Sequence, residues 1–251
     1  AEGPMSRDKG SSYLANYRYS TLALFGGLGI PIGTSAVPRY QDAKWAQSWW
    51  MKRHHEKLAA LKKTSRVDLL MVGDSITHGW EKRGRKTWDE YYAKRNAFNI
   101  GFSGDRTEHV LWRLAHGAVD GIAPKVAVVM IGTNNTGQRR DPADETAAGV
   151  AAIVKDLRKR LPTTKVLLLA IFPRSPRAHD EQRKLNDAIN ERIQKLADEK
   201  AVFYLDINSS FLDGNGTLTK EIMPDYLHPH EKGYGIWANA MEPTLAKLLG
   251  E

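Results

Sequence analysis

The 251-residue chain has no cysteine. Disulfides and thiolate-bound metals are therefore excluded, and stability must come from packing and hydrogen bonds; the redox compartment is left open. The G-x-S-x-G elbow of ordinary α/β-hydrolases is absent as well. A long apolar run is also missing. Residues 21–32 are apolar but broken by Gly and Pro, short of the about 20 apolar residues that a membrane-spanning helix needs, so no integral span is expected. Internal repeats and low-complexity tracts are not seen.

Basic residues are plentiful but dispersed. The chain has 37 Lys and Arg against 29 Asp and Glu, a net charge of +8. They form short groups such as Arg83-Gly84-Arg85-Lys86, Arg139-Arg140 and Arg158-Lys159-Arg160 among acids. No aromatics are interleaved as in a single-strand-binding groove, so a nucleic-acid partner is not expected. His228 and His230 form His-x-His, and His54 adjoins His55, but no convincing third ligand accompanies them, so no metal or other cofactor is expected.

The length suits one α/β domain with a substantial core. The division expected is an N-terminal arm and Trp-rich helical lead-in over residues 1–66, followed by a domain over 67–251. Within the arm, residues 21–32 follow Arg7, Lys9 and Arg18 and precede Thr34, Ser35 and Ala36, an order similar to a weak signal peptide. Two readings stand side by side: an export signal with a secreted or periplasmic location, or a packed, subunit-exchanging arm on a cytoplasmic protein. Trp45, Trp49 and Trp50 lead into a basic helical segment at 51–63 and are expected to cover the sheet.

Apolar, β-branched runs recur at 67–72, 97–100, 126–131, 166–171 and 202–207. Near-continuous hydrophobicity fits strands buried on both faces, as in a parallel sheet. Helical patterns occupy 107–116, 142–161, 181–200 and 231–249. Asp141 is expected to cap the second of these, with Pro142 at its first position. Strand and helix alternate, which predicts a three-layer α/β/α sandwich around a mostly parallel five-stranded sheet.

Four polar clusters follow these elements: Val72-Gly73-Asp74-Ser75, Gly101-Phe102-Ser103-Gly104-Asp105, Gly132-Thr133-Asn134-Asn135, and Asp225-Tyr226-Leu227-His228. In an open α/β sheet the ligand crevice lies beyond the carboxyl ends of the strands, where Ser75, Gly104 and Asn134 fall. A serine hydroxyl needs a base to take its proton, and His228, with Asp225 three residues earlier, is the candidate. The backbone N–H groups of Ser75 and Gly104 and the Asn134 amide offer donors to a developing oxyanion. Ser103 is a competing nucleophile. His78 and Trp80 are expected in the pocket wall or on the surface.

These blocks resemble the SGNH, or GDSL-type, hydrolase family, and within it the catalytic subunits of platelet-activating factor acetylhydrolases and their bacterial relatives. The run from Asn99 to Thr107, continuing through His109 to Leu114, carries the closer likeness. The resemblance implies a flavodoxin-like sheet. It makes Ser75 the nucleophile, Asp225 and His228 the rest of the triad, and Gly104 and Asn134 oxyanion donors. It further implies a serine esterase for short acyl groups, acetyl above all, and a homodimer or larger assembly.

The alcohol stays open between an acetylated carbohydrate and a phospholipid of the platelet-activating-factor type. A noncatalytic carbohydrate-binding module on the same fold is the competing class.

Overall fold

The computed structural model describes residues 31–251 except Asp42 and Ser65. The apolar segment at 21–32, apart from Pro31 and Ile32, lies outside the described residues, and so do both readings of it.

In chain order the main elements are α1 (Trp50–Lys63), β1 (Leu69–Gly73), α2 (Ser75–His78), α3 (Arg85–Tyr91), β2 (Ala97–Gly101), α4 (Thr107–Ala115), β3 (Val126–Met130), α5 (Ala143–Arg160), β4 (Lys165–Leu169), α6 (Glu181–Ile193), β5 (Val202–Leu205) and α7 (Glu231–Leu249). All neighbouring strands pair in parallel, in the order β2-β1-β3-β4-β5.

Alternation along each strand divides the core into two layers. Leu70 and Val72 of β1 face one side with Val129 and Leu168, where Val110 and Leu114 of α4, Val150, Ile153 and Leu157 of α5, and Ile189 of α6 cover them. Leu69 and Met71 face the other side with Val128 and Leu167, beneath Trp237, Met241 and Leu245 of α7 and beside Trp80. The result is the expected α/β/α sandwich with a five-stranded parallel sheet.

Local expectations need correction at three places. Asp141 does not cap α5. Pro142 occupies that position, and Asp141 Oδ2 instead accepts from Asn135 Nδ2 at 3.1 Å and from Arg139. The helix expected over 181–200 ends at Ile193, followed by one tight turn at Gln194–Leu196. Beyond that turn, Asp198 Oδ1 collects the N–H groups of Lys200, Ala201 and Val202 and Glu199 turns left-handed, which redirects the chain into β5. The aromatic lead-in does not lie over the strands. Trp50 is fully buried against Phe102 and Trp112, on the loop after β2 and on α4.

From β1 the chain runs to β2 on one side and then returns past β1 to β3. The order therefore reverses between β1 and β3, and a crevice opens at their carboxyl ends.

Candidate active site

β1 ends at Gly73, where a Cβ would lie 2.5 Å from the Met130 carbonyl oxygen and closer still to Thr77 Oγ1, so only glycine fits between β1, β3 and the next turn. Asp74 then caps α2, its Oδ1 accepting the Ile76 N–H at 2.9 Å. This sharp strand-to-helix change makes Ser75 the first residue of α2, in the floor of the crevice.

Ser75 Oγ lies 2.8 Å from His228 Nε2, and His228 Nδ1 lies 2.6 Å from Asp225 Oδ2. The other carboxylate oxygen of Asp225 accepts the backbone N–H groups of Leu227 (3.1 Å) and His228 (2.7 Å). One short loop, with Tyr226 left-handed at φ 57°, thus fixes both the acid and the imidazole. Desolvation pushes the Asp225 carboxyl up, but the hydrogen bonds from His228 and from the Leu227 N–H outweigh it and hold the group below the usual carboxylate range.

Gly104 and Asn134 reach the same crevice from β2 and β3. Gly104 has φ 78°, a left-handed angle that favours glycine, and a Cβ there would lie 2.3 Å from the tip of the exposed Trp45 ring. Asn134 Nδ2 donates to the Asp105 carbonyl at 2.9 Å, which orients the amide while its second N–H stays available. Ser75, His78, Gly79, Lys82, Arg83, Ser103, Gly104, Asn134, Gln138, Leu227 and His228 line a cleft of about 440 Å³. All five residues singled out in the sequence meet there, with Asp225 behind His228.

A family model for GDSL-like lipases and acylhydrolases matches residues 71–236. The chain belongs to this GDSL-like family. Among curated proteins it is 33% identical over 203 residues to platelet-activating factor acetylhydrolase IB subunit alpha1 of Homo sapiens, covering 80% of this chain and 85% of the relative. Subunit alpha2 of Rattus norvegicus is 32% identical over 220 residues, covering 86% and 92%.

Among solved structures, a GDSL-like lipase from Bacteroides thetaiotaomicron superposes with a TM-score of 0.61 at 24% identity, over 78% of this chain and 97% of that one. An acetylxylan esterase from Geobacillus stearothermophilus gives 0.59 at 20% identity, over 74% and 94%. These two likenesses show a shared fold. Family and curated relatives together make this GDSL-family protein a carboxylic ester hydrolase.

The family match starts after α1, yet in this GDSL hydrolase α1 supports the crevice. Trp50 Nε1 donates to Asp105 Oδ1 at 2.7 Å, while Arg113 Nε of α4 donates to Asp105 Oδ2 at 2.9 Å. All three side chains are buried. Burial pushes the Asp105 carboxyl up against the pull of Arg113 and the Trp50 N–H. Arg53 donates from α1 to the Gly101 carbonyl and forms a two-pronged pair with Glu81. Burial alone would raise Glu81, but Arg53 and Lys57 hold it at about 2.

Ser103, the competing nucleophile, bonds His78 Nδ1 at 2.9 Å. The carboxylate nearest His78 is Glu81, 3.9 Å from Nε2 and already occupied by Arg53 and Lys57. Burial, with Arg53 next in weight, pushes the His78 imidazole down to about 4, so it is neutral at pH 7. The pair anchors the loop before Gly104.

His78 stands in the cleft wall and Trp80 in the core. The supporting roles of Trp50, Arg53 and Arg113 are not legible in the sequence, because ordinary helix residues carry no motif. Asp105 closes the block that contains Gly104, but nothing in the sequence marks its buried partners.

Proposed function

We propose that the enzyme hydrolyses short-chain acyl esters, acetyl esters above all, with Ser75 as nucleophile, His228 as general base and acid, and Asp225 as the group that orients the imidazole. The carrying observation is the unbroken chain of hydrogen bonds Ser75–His228–Asp225 in the floor of the cleft. As Ser75 Oγ bonds to the acyl carbon, its proton passes to His228 Nε2. The carbonyl oxygen becomes an oxyanion, for which the Ser75 and Gly104 N–H groups and the Asn134 amide are the donors. His228 then returns the proton to the departing alcohol, leaving acyl-Ser75. Water gives a proton to His228 as its oxygen attacks the acyl carbon, the Oγ–C bond breaks, and Ser75 recovers the proton as the acid departs.

The acetyl preference is supported by the curated relatives, named as acetylhydrolases. A hydroxylated alcohol such as a carbohydrate is supported by the cleft lining, in which Leu227 is the single large apolar side chain. The relatives' names favour the second reading, a phospholipid of the platelet-activating-factor type. Turnover of acetylated xylan fragments and of a 2-acetyl ether phospholipid, each beside a Ser75→Ala control, decides. Preference for the fragments is expected, and preference for the lipid overturns the carbohydrate choice. Acetyl esters should also exceed octanoyl esters in rate, and the reverse order overturns the short-acyl assignment.

A further inference from the structure

The turn after α2 brings two cations to the cleft. Lys82 and Arg83 line it directly, on the side formed by His78 and Gly79. Their basic neighbours are paired: Arg53 and Lys57 with Glu81, Arg85 with Asp89, and Lys86 with Glu231. Glu81, the acid adjacent in sequence, is thereby occupied. Neither Lys82 nor Arg83 forms an ion pair among the described residues.

The turn that presents them is held firmly. The Gly79 carbonyl accepts the N–H groups of both Lys82 and Gly84 at 3.0 Å. Beneath it the buried rings of Trp80 and Tyr234 lie 4.6 Å apart, with the Tyr234 hydroxyl donating to the Ile76 carbonyl at 2.7 Å. Two exposed cations on a fixed turn at the edge of the cleft raise the local concentration of anions, and the turn that carries them costs little to organise when an anion binds.

From this geometry we infer that Lys82 and Arg83 determine specificity by pairing with an anionic group on the alcohol side of the ester, a carboxylate or phosphate. The inference rests on the esterase reading above and narrows its substrate to acyl esters of acidic alcohols, acetylated acidic sugars foremost. Lys supplies a point charge and Arg a planar fork, which suits carboxylate and phosphate oxygens alike.

The test compares acetate release from 4-acetoxybenzoate and from its neutral methyl ester, by the wild type and by the Lys82→Gln/Arg83→Gln double variant. Leaving-group reactivity cancels when the anion-to-neutral ratio of kcat/KM in the wild type is divided by that in the variant. Exposed ion pairs are individually weak, so this quotient should be about fivefold at low salt, equal to roughly 1 kcal/mol at 1.4 kcal/mol per tenfold. It should fall towards unity in about 1 M salt, where the screening length is about 3 Å. The Lys82→Arg/Arg83→Lys swap should keep the ratio.

A quotient of one at low salt, with both esters hydrolysed, overturns the inference and leaves the esterase reading standing. Failure of the wild type to hydrolyse either ester overturns both. An acetylated glucuronic acid glycoside and a 2-acetyl ether glycerophosphate, run alongside, separate a sugar carboxylate from a lipid phosphate as the source of the anion.

Discussion

Ser75 and His228 stand 153 positions apart in sequence and 2.8 Å apart in space. The contact joins the turn after β1 to the loop before α7, and the proposed chemistry depends on it. Ser75→Ala should lower kcat by about 10⁴- to 10⁶-fold on an activated acetate while leaving the thermal midpoint close to that of the wild type. Asp225→Asn should cost about 10⁴-fold, because the imidazole loses the acceptor that fixes its tautomer. An Asp225→Asn enzyme with near wild-type kcat would remove Asp225 from the proposed triad.

Asn134→Ala should lower kcat about 10²- to 10³-fold with little change in KM, as expected when an oxyanion donor is removed. The same amide holds the Asp105 carbonyl, so a stability loss of about 1 kcal/mol should accompany it. Urea titration and steady-state kinetics on one preparation measure both. A rise in KM with unchanged kcat would argue for ground-state binding instead.

Trp50→Phe keeps the ring in the core but removes the N–H that reaches Asp105, leaving a buried carboxylate oxygen short of a partner. A loss of about 1–3 kcal/mol is expected. Because the Asp105 carbonyl positions the Asn134 amide, kcat should fall too, and it should fall less when Asn134 is already Ala. Equal effects in both backgrounds would make Trp50 a packing residue alone.

Asp74 is fully buried, and desolvation, aided by Asp105, pushes its carboxyl from 3.8 to about 7 against the Ile76 N–H and Arg174. Its Oδ2 has no hydrogen-bond partner among the described residues. A carboxyl raised on folding costs nothing below the unfolded value near 4, and stability is lost as the pH rises through about 7. Asp74→Asn retains an acceptor for the Ile76 N–H but cannot ionise. Its stability relative to wild type should therefore climb between pH 4 and pH 8, by up to about 4 kcal/mol at 1.36 kcal/mol per pH unit. Urea midpoints across this range check it, and parallel curves would mean that Asp74 does not titrate there.

The strands were legible because a sheet covered on both faces needs nearly unbroken apolar runs, as at 126–131 and 166–171. Helix ends were read less well. Asp198 and Asp141 spend their oxygens on partners that helix patterns do not reveal: three backbone N–H groups for the one, Asn135 and Arg139 for the other. The crevice residues Ser75, Gly104, Asn134, Asp225 and His228 stood out because the chemistry narrows residue type at each position. Asp105 and Trp50 did not, since any buried acid or indole looks the same in sequence.

By itself, then, the sequence determined the parallel sandwich and the residues from which a serine esterase would be built, because hydrophobic period and reactive side-chain type are local properties. Tertiary structure alone decided that α1, lying before the family match, braces the loop of Gly104. It also decided that Asp74 is buried, which pushes its carboxyl up, and that Lys82 and Arg83 face the cleft with their neighbours' acids already taken. Each of these depends on distance through space between residues remote in the chain, and on the dielectric that folding creates around them.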